Sequence, residues 1–195
     1  MNWSEKVILV DCDGVLLDWG YPFSKRMGEW GYTLVEPTVY DMAKAYGIEK
    51  VQARALVAEF NASAAIGWLP PFRDAIKYVR KLHEEGGYVF HCITSLSLDP
   101  YAIKLREKNL HAIFGETVFE KIICLDTGAD KHEALAPYEL SGCFWVEDKP
   151  ENAVVGYELG LNSILMEHDH NREWSHPGIP KVKNWREIYK MIMQG

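Results

Sequence analysis

The chain has 195 residues, of which 48% are hydrophobic and 25% charged, with a formal net charge of -7 at pH 7. That length supports a substantial core and argues for one domain carrying an insertion rather than two independent domains. The negative balance argues against a nucleic acid polymer or an anionic membrane as partner, and no uninterrupted apolar run approaches the roughly 20 residues of a bilayer span.

Residues 1–6 lack the layout of a secretory signal, so a cytoplasmic protein is expected, as a monomer or homodimer. The first element is the apolar run Val7-Ile8-Leu9-Val10, which delivers Asp11 and Asp13 to a turn at Gly14. Side chains at i and i+2 share one face of a strand, so both carboxylates are expected near one point beyond its end. Two anions held together need a cation, a proton or a ligand to compensate them.

The character then changes. Ten aromatics lie between Trp19 and Phe72, and residues 19–70 carry five Lys or Arg against five Asp or Glu, so the segment is neutral while the rest is acidic. Helices are expected over 36–46, with Pro37 in the first turn, and over 49–66, where Val51, Ala55, Leu56 and Phe60 follow a 3.6-residue period. From Phe72 onward helices and apolar runs alternate. A helix over 73–85 stops at Gly86-Gly87, and the run 88–93 ends at Thr94-Ser95. A helix over 100–109 leads to the run 122–125, and a short helix over 131–136 leads to the run 143–146, which ends at Glu147-Asp148. A helix over 150–159, a run over 163–166 and a terminal helix over 185–193 complete the pattern.

Five apolar runs separated by helices predict an α/β fold, a doubly wound parallel sheet that binds ligands beyond its C-terminal strand ends. The expected organisation is a core of residues 1–18 and 71–195 with a small helical cap of residues 19–70 inserted after the first strand. Cys12, Cys92, Cys124 and Cys143 form no C-x-x-C pair and read as free thiols. His168, His170 and His176 sit in a polar loop and read as solvated rather than zinc-binding.

The strand ends carry the chemistry: Asp11 and Asp13 after the first run, Thr94 and Ser95 after the second, Lys131 after the third, Glu147 and Asp148 after the fourth. In a parallel sheet these converge on one edge. Carboxylates from the first and fourth ends suit Mg²⁺, a hard ion that prefers oxygen ligands, and Lys131 with the Thr94 hydroxyl can hold phosphate oxygens.

In this respect the chain resembles the haloacid dehalogenase superfamily of phosphohydrolases. Asp11-Cys12-Asp13-Gly14 through Asp18 matches its D-x-D-G-x-x-x-D motif, and Thr94 its strand-closing Thr or Ser. Lys131 matches its helix-opening lysine, and Glu147-Asp148-Lys149-Pro150-Glu151-Asn152 its acidic pair before a helix. The resemblance implies that Asp11 is a nucleophile forming an aspartyl-phosphate and that Asp13 is a general acid and base. It also implies that Asp11, Asp13 through its carbonyl, and Asp148 bind Mg²⁺, with Glu147 binding or orienting around the ion. The presence of Asp13 disfavours the halide-removing branch, which lacks a second aspartate.

Asp11 to Trp19, the strand end at Ser95 and the helical insertion are most similar in pattern to the 5'(3')-deoxyribonucleotidase branch. That likeness implies a small phosphorylated metabolite, with a nucleoside monophosphate first, its base enclosed by Trp19 and, by position, Phe23 and Trp68. A sugar-phosphate phosphatase, a phosphomutase or a non-catalytic phosphate-binding protein remain open alternatives.

Overall fold

The computed structural model describes residues 6–194. Residues 1–5, most of the stretch read above for targeting, lie outside the described residues. Six strands, β1 (Val7–Val10), β2 (Val89–Ser95), β3 (Phe119–Leu125), β4 (Phe144–Glu147), β5 (Asn162–Met166) and β6 (Lys181–Val182), form one sheet in the order β3-β2-β1-β4-β5-β6. Every pairing is parallel. Ile8, Leu9 and Val10 of the central β1 are fully buried, as expected of a parallel strand covered on both faces. The order runs outward in both directions from β1, so its C-terminal end lies at the topological switch point where such sheets bind ligands.

Helices α4 (Ala75–Glu84), α5 (Pro100–Phe114), α6 (His132–Leu135), α7 (Pro150–Glu158) and α8 (Trp185–Gln194) accompany the strands. Local sequence sets their starts. Asp99 caps α5 by accepting from the Tyr101 amide at 2.8 Å, and Pro100 takes the first helical position, where a missing N–H costs nothing. One face of the sheet packs Leu9, Ile93, Leu135, Tyr138 and Trp145. A Cβ at Gly156 would stand 2.4 Å from Cδ1 of Trp145, so the glycine lets α7 lie directly on that indole. On the other face Phe90 meets Trp185 of α8 edge to face at 6.2 Å.

Residues 19–70 contribute no strand to the sheet. They hold α1 (Gly20–Glu29), α2 (Met42–Tyr46), α3 (Lys50–Asn61) and a 3₁₀ turn over Ala64–Trp68. Four details differ from the sequence reading. The helix expected over 36–46 begins only at Met42: Pro37 lies in a turn, and Asp41 is the cap, its carboxylate accepting from the Ala43 amide at 2.9 Å. Helix α1 was hidden by Gly20, Pro22 and Gly28, yet Phe23 and Met27 bury one face of it. The short β6 was not expected, and β3 begins at Phe119 rather than at 122.

The chain leaves and re-enters the core through two neighbouring segments. The Asp18 amide donates to the Pro70 carbonyl at 2.9 Å and the Phe72 amide to the Leu16 carbonyl at 2.8 Å, around an antiparallel bridge between Leu17 and Pro71. All four cysteines are free. No helix among the described residues is long and apolar enough to cross a membrane.

Candidate active site

The C-terminal edge of β1, β2 and β4 opens into a cavity of about 1070 Å³, walled on its far side by residues of α2 and α3. Asp11, Asp13, Thr94, Ser95, Lys131, Glu147, Asp148 and Trp19 all line it. The polar strand ends of the sequence are thus brought to one place.

Asp11 follows β1 directly, and its amide donates to the Val146 carbonyl of β4 at 2.9 Å, which fixes it beside the end of that strand. Ligand oxygens of Asp11, Glu147 and Asp148 lie within 4.8 Å of one another, and all three residues are buried. Lys131, 1% exposed, is the ammonium among them: its Nζ stands 2.6 Å from Asp11 Oδ1 and 2.7 Å from Glu147 Oε2. Read as a helix-start lysine, it could have been a surface group; the structure buries it. Glu147 is engaged through both oxygens, since Oε1 accepts from the amides of Asp148 and Lys149 at 3.1 Å each.

The charges are unbalanced. Burial, reinforced by Glu147 and only partly opposed by Lys131, pushes Asp11 up to about 8. Burial and the Asp11 carboxylate push Asp148 up to about 7, and burial raises Glu147. Lys131 is shifted the other way from what burial alone dictates, because Asp11 and Glu147 hold its charge. One ammonium cannot balance three ionised carboxylates in this buried site, so they are pushed toward holding protons, and a divalent cation on oxygen ligands would relieve that imbalance.

Gly14 makes the approach possible. Its φ is +78°, and a Cβ there would stand 2.5 Å from Asp148 Oδ2. Thr94, 1% exposed, is the penultimate residue of β2. Ser95 donates its hydroxyl proton to the Ala129 carbonyl at 2.8 Å, so it ties down the loop before Lys131 while facing the cavity.

Asp11 and Asp13 line the same cavity but pair with different cations. The strand ends at Val10, and the turn sends the Asp13 carboxylate to a different cation, Arg106 of α5, which meets it through two hydrogen bonds at 2.5 and 2.9 Å. Asp18 accepts from the Tyr21 amide at 3.0 Å and so supports the start of α1.

Of the three aromatics singled out by position, only Trp19 lines the cavity. Its indole N–H donates to Asn61 at 2.9 Å, and its ring stacks on Phe23 at 4.3 Å. Phe23 is 1% exposed and lies in the apolar interior behind Trp19. Trp68 is 76% exposed, outside the cavity, with Lys108 over its ring at 5.7 Å. The 3₁₀ turn that carries it turns the indole outward, which spacing alone does not reveal.

Sequence reading missed Arg106 and the bracing role of the loop after β5. His168 donates from Nε2 to the Gly14 carbonyl at 2.8 Å, and His170 from Nε2 to the Asp148 carbonyl at 3.2 Å. Asn171, buried, donates to the carbonyls of Asp148 and Met166 at 2.7 and 2.8 Å. These side chains were expected to be solvated; two of the histidines instead brace the backbone beneath the carboxylates. Burial pushes His168 down to about 4, keeping the ring neutral.

No protein-family model matches the chain. Over 124 residues it is 28% identical to the uncharacterized 32.4 kDa protein of the Gp30-rIII intergenic region of Enterobacteria phage T4, a match covering 60% of this chain and 44% of that one. The chain thus spans under half the length of that relative. Among solved structures it is similar to CbbY from Rhodobacter sphaeroides in complex with phosphate, with a TM-score of 0.61 and 17% identity over 94% of this chain and 96% of that one. It is also similar to a haloacid dehalogenase-like hydrolase from Streptococcus pneumoniae, with a TM-score of 0.66 and 14% identity over 96% and 98%. At these identities the likeness establishes architecture: the chain has the fold of the haloacid dehalogenase-like hydrolases.

Proposed function

We propose that the protein is a Mg²⁺-dependent phosphatase that hydrolyses a small phosphomonoester through an aspartyl-phosphate on Asp11. The observation that carries this reading is the buried group of Asp11, Glu147 and Asp148 around Lys131, on the floor of a cavity that Asp13 and Thr94 also line. The donor set fits a hard cation. Asp11, Asp148 and the backbone carbonyl of Asp13 would hold it, with Glu147 orienting Lys131 and the turn amides. When bound, Mg²⁺ supplies the charge neutralisation that lets an anionic nucleophile approach a phosphate dianion.

In this reading the Asp11 carboxylate bonds to phosphorus while the P–O bond to the leaving group breaks, and Asp13 gives the leaving oxygen its proton. Asp13 then takes a proton from the water that attacks phosphorus, which frees Asp11 and releases inorganic phosphate. Lys131 and the Thr94 hydroxyl hold the equatorial oxygens.

Residues 19–70 act as a cap that chooses the leaving group. A nucleoside monophosphate is the first substrate class, supported by the cavity's volume and by the Trp19 indole on its wall. A sugar phosphate with a second anionic group is the other, favoured by Lys50 and Arg54, which lie one turn apart on α3 and both line the cavity. Phosphate release from a panel of nucleoside monophosphates, sugar monophosphates and sugar bisphosphates, with and without Mg²⁺, separates the two. Release from no member, or release undiminished in Asp11→Asn, rejects the reading. In that event a non-catalytic phosphate-binding protein would still be stabilised by phosphate, a shift that thermal unfolding reads directly.

A further inference from the structure

Arg106 lies on α5, outside every motif of the strand ends. The inward face of α5 buries Ala102, Arg106, Asn109, Leu110 and Phe114, so the arginine occupies a position whose neighbours are mostly apolar. It is 0% exposed, and its Nε has no hydrogen-bond partner among the described residues. Nη1 donates to Asp13 Oδ1 at 2.5 Å and Nη2 to Oδ2 at 2.9 Å, while Nη1 also reaches Cys12 Sγ. The Asp13 side chain is 25% exposed and lines the cavity. The guanidinium therefore grips the carboxylate from the protein side and leaves its other side open.

Stability is a poor reason for this arrangement. Taking a guanidinium out of water is costly, and buried ion pairs are often no more stabilising than apolar packing of the same volume. Geometry is the better reason. Asp13 stands between Cys12 and the glycine turn at Gly14, with two side-chain torsions facing a large cavity. A two-point fork fixes both torsions and the plane of the carboxylate. Each carboxylate oxygen offers two lone-pair directions, and the fork uses one on each, so one on each is left for a ligand at the cavity.

We infer that Arg106 is a positioning residue, holding the Asp13 carboxylate by this fork so that its free lone pairs face the ester oxygen and the attacking water. This inference rests on the phosphatase reading. Lysine keeps the charge but is a point donor that cannot reproduce the fork, so Arg106→Lys isolates orientation from charge.

The experiment measures kcat and KM with Mg²⁺ for wild type, Arg106→Lys, Asp13→Asn and the double variant. The substrates are the preferred alkyl phosphate from the panel and p-nitrophenyl phosphate. Arg106→Lys is expected to lower kcat on the alkyl ester by about 10- to 100-fold with KM within about twofold. The loss on the aryl ester, whose leaving group needs little help from a proton, should be smaller. In the Asp13→Asn background the second substitution should cost nothing more, because the two residues act as a unit. A folded Arg106→Lys with wild-type kcat on the alkyl ester, or with equal losses on both esters and in both backgrounds, overturns the inference while leaving the phosphatase reading intact. Inactivity of the wild type on the whole panel overturns both. If Arg106→Lys does not fold, Arg106→Gln, which fills similar space without the charge, is read by the same leaving-group ratio.

Discussion

Substituting Gly14 by alanine tests the tightest point of the site. Its backbone has φ +78°, and a Cβ there would meet Asp148 Oδ2 at 2.5 Å and Cγ at 2.9 Å. Two costs follow. The left-handed conformation costs a non-glycine residue about 1–2 kcal/mol, and forcing a methyl into a filled space costs about 1–3 kcal/mol more. Gly142 separates the two, because its φ is +69° and, its chain neighbours aside, no described residue lies within 4 Å of where its Cβ would stand. Gly142→Ala should therefore carry only the first cost. Urea unfolding in EDTA is expected to give about 1–2 kcal/mol for Gly142→Ala and about 2–5 kcal/mol for Gly14→Ala. The methyl must also drive the Asp148 carboxylate roughly 1 Å away, a displacement that typically lowers turnover by about 100-fold. Phosphate release and the Mg²⁺-induced rise in Tm should fall together in Gly14→Ala and stay intact in Gly142→Ala. Equal destabilisation of the two variants with an undiminished Mg²⁺ response would refute the argument that Gly14 is there to admit Asp148.

The loop after β5 gives a pH signature. His168 is pushed down from 6.5 to about 4, chiefly by burial, so the unfolded chain binds a proton that the folded one refuses. Its contribution to stability is full above pH 6.5 and disappears as the pH falls toward 4; the Tm difference between wild type and His168→Gln should shrink over this window, and a constant difference would contradict it. Asp74 accepts from the amides of Trp185 and Arg186 at 2.8 and 3.1 Å, capping α8 from across the fold, so Asp74→Ala should cost about 1–2 kcal/mol in urea unfolding without changing kcat. Trp68→Ala should alter stability by no more than about 0.5 kcal/mol and leave KM unchanged, whereas Trp19→Leu should raise KM several-fold. A rise in KM for Trp68→Ala would return that residue to the substrate.

What the sequence made legible was whatever depends on short-range order. Val7-Ile8-Leu9-Val10 is too apolar for anything but a doubly covered strand, and the polar residues that follow each such run had to meet once the strands were parallel. The segment 19–70 was harder, because Gly20, Pro22 and Gly28 look like loop punctuation although α1 tolerates them: Pro22 falls in its first turn, and Phe23 and Met27 bury its inner face. Pro37 misled in the opposite direction, since the cap of α2 is Asp41. The contributions of Arg106, His168 and His170 were illegible for a different reason. Their partners are 93, 154 and 22 residues away, and no local period encodes such distances. A signal for Arg106 did exist: it stands in register with Ala102 and Leu110 on the buried side of a helix, where a charge requires a partner.

The two chain segments that join residues 19–70 to the rest are hydrogen-bonded to each other, Asp18 to Pro70 and Leu16 to Phe72. The insertion therefore begins and ends at the same spot, and its removal would leave two ends that a tight turn can join. The segment is still tied to its surroundings, because Ile66 and Leu69 share one apolar cluster with Ala102 and Leu110 of α5, so a replacement would have to match that face. A graft between Asp18 and Pro70 that kept this face is expected to leave the carboxylates and Lys131 in place while changing the cavity wall opposite them.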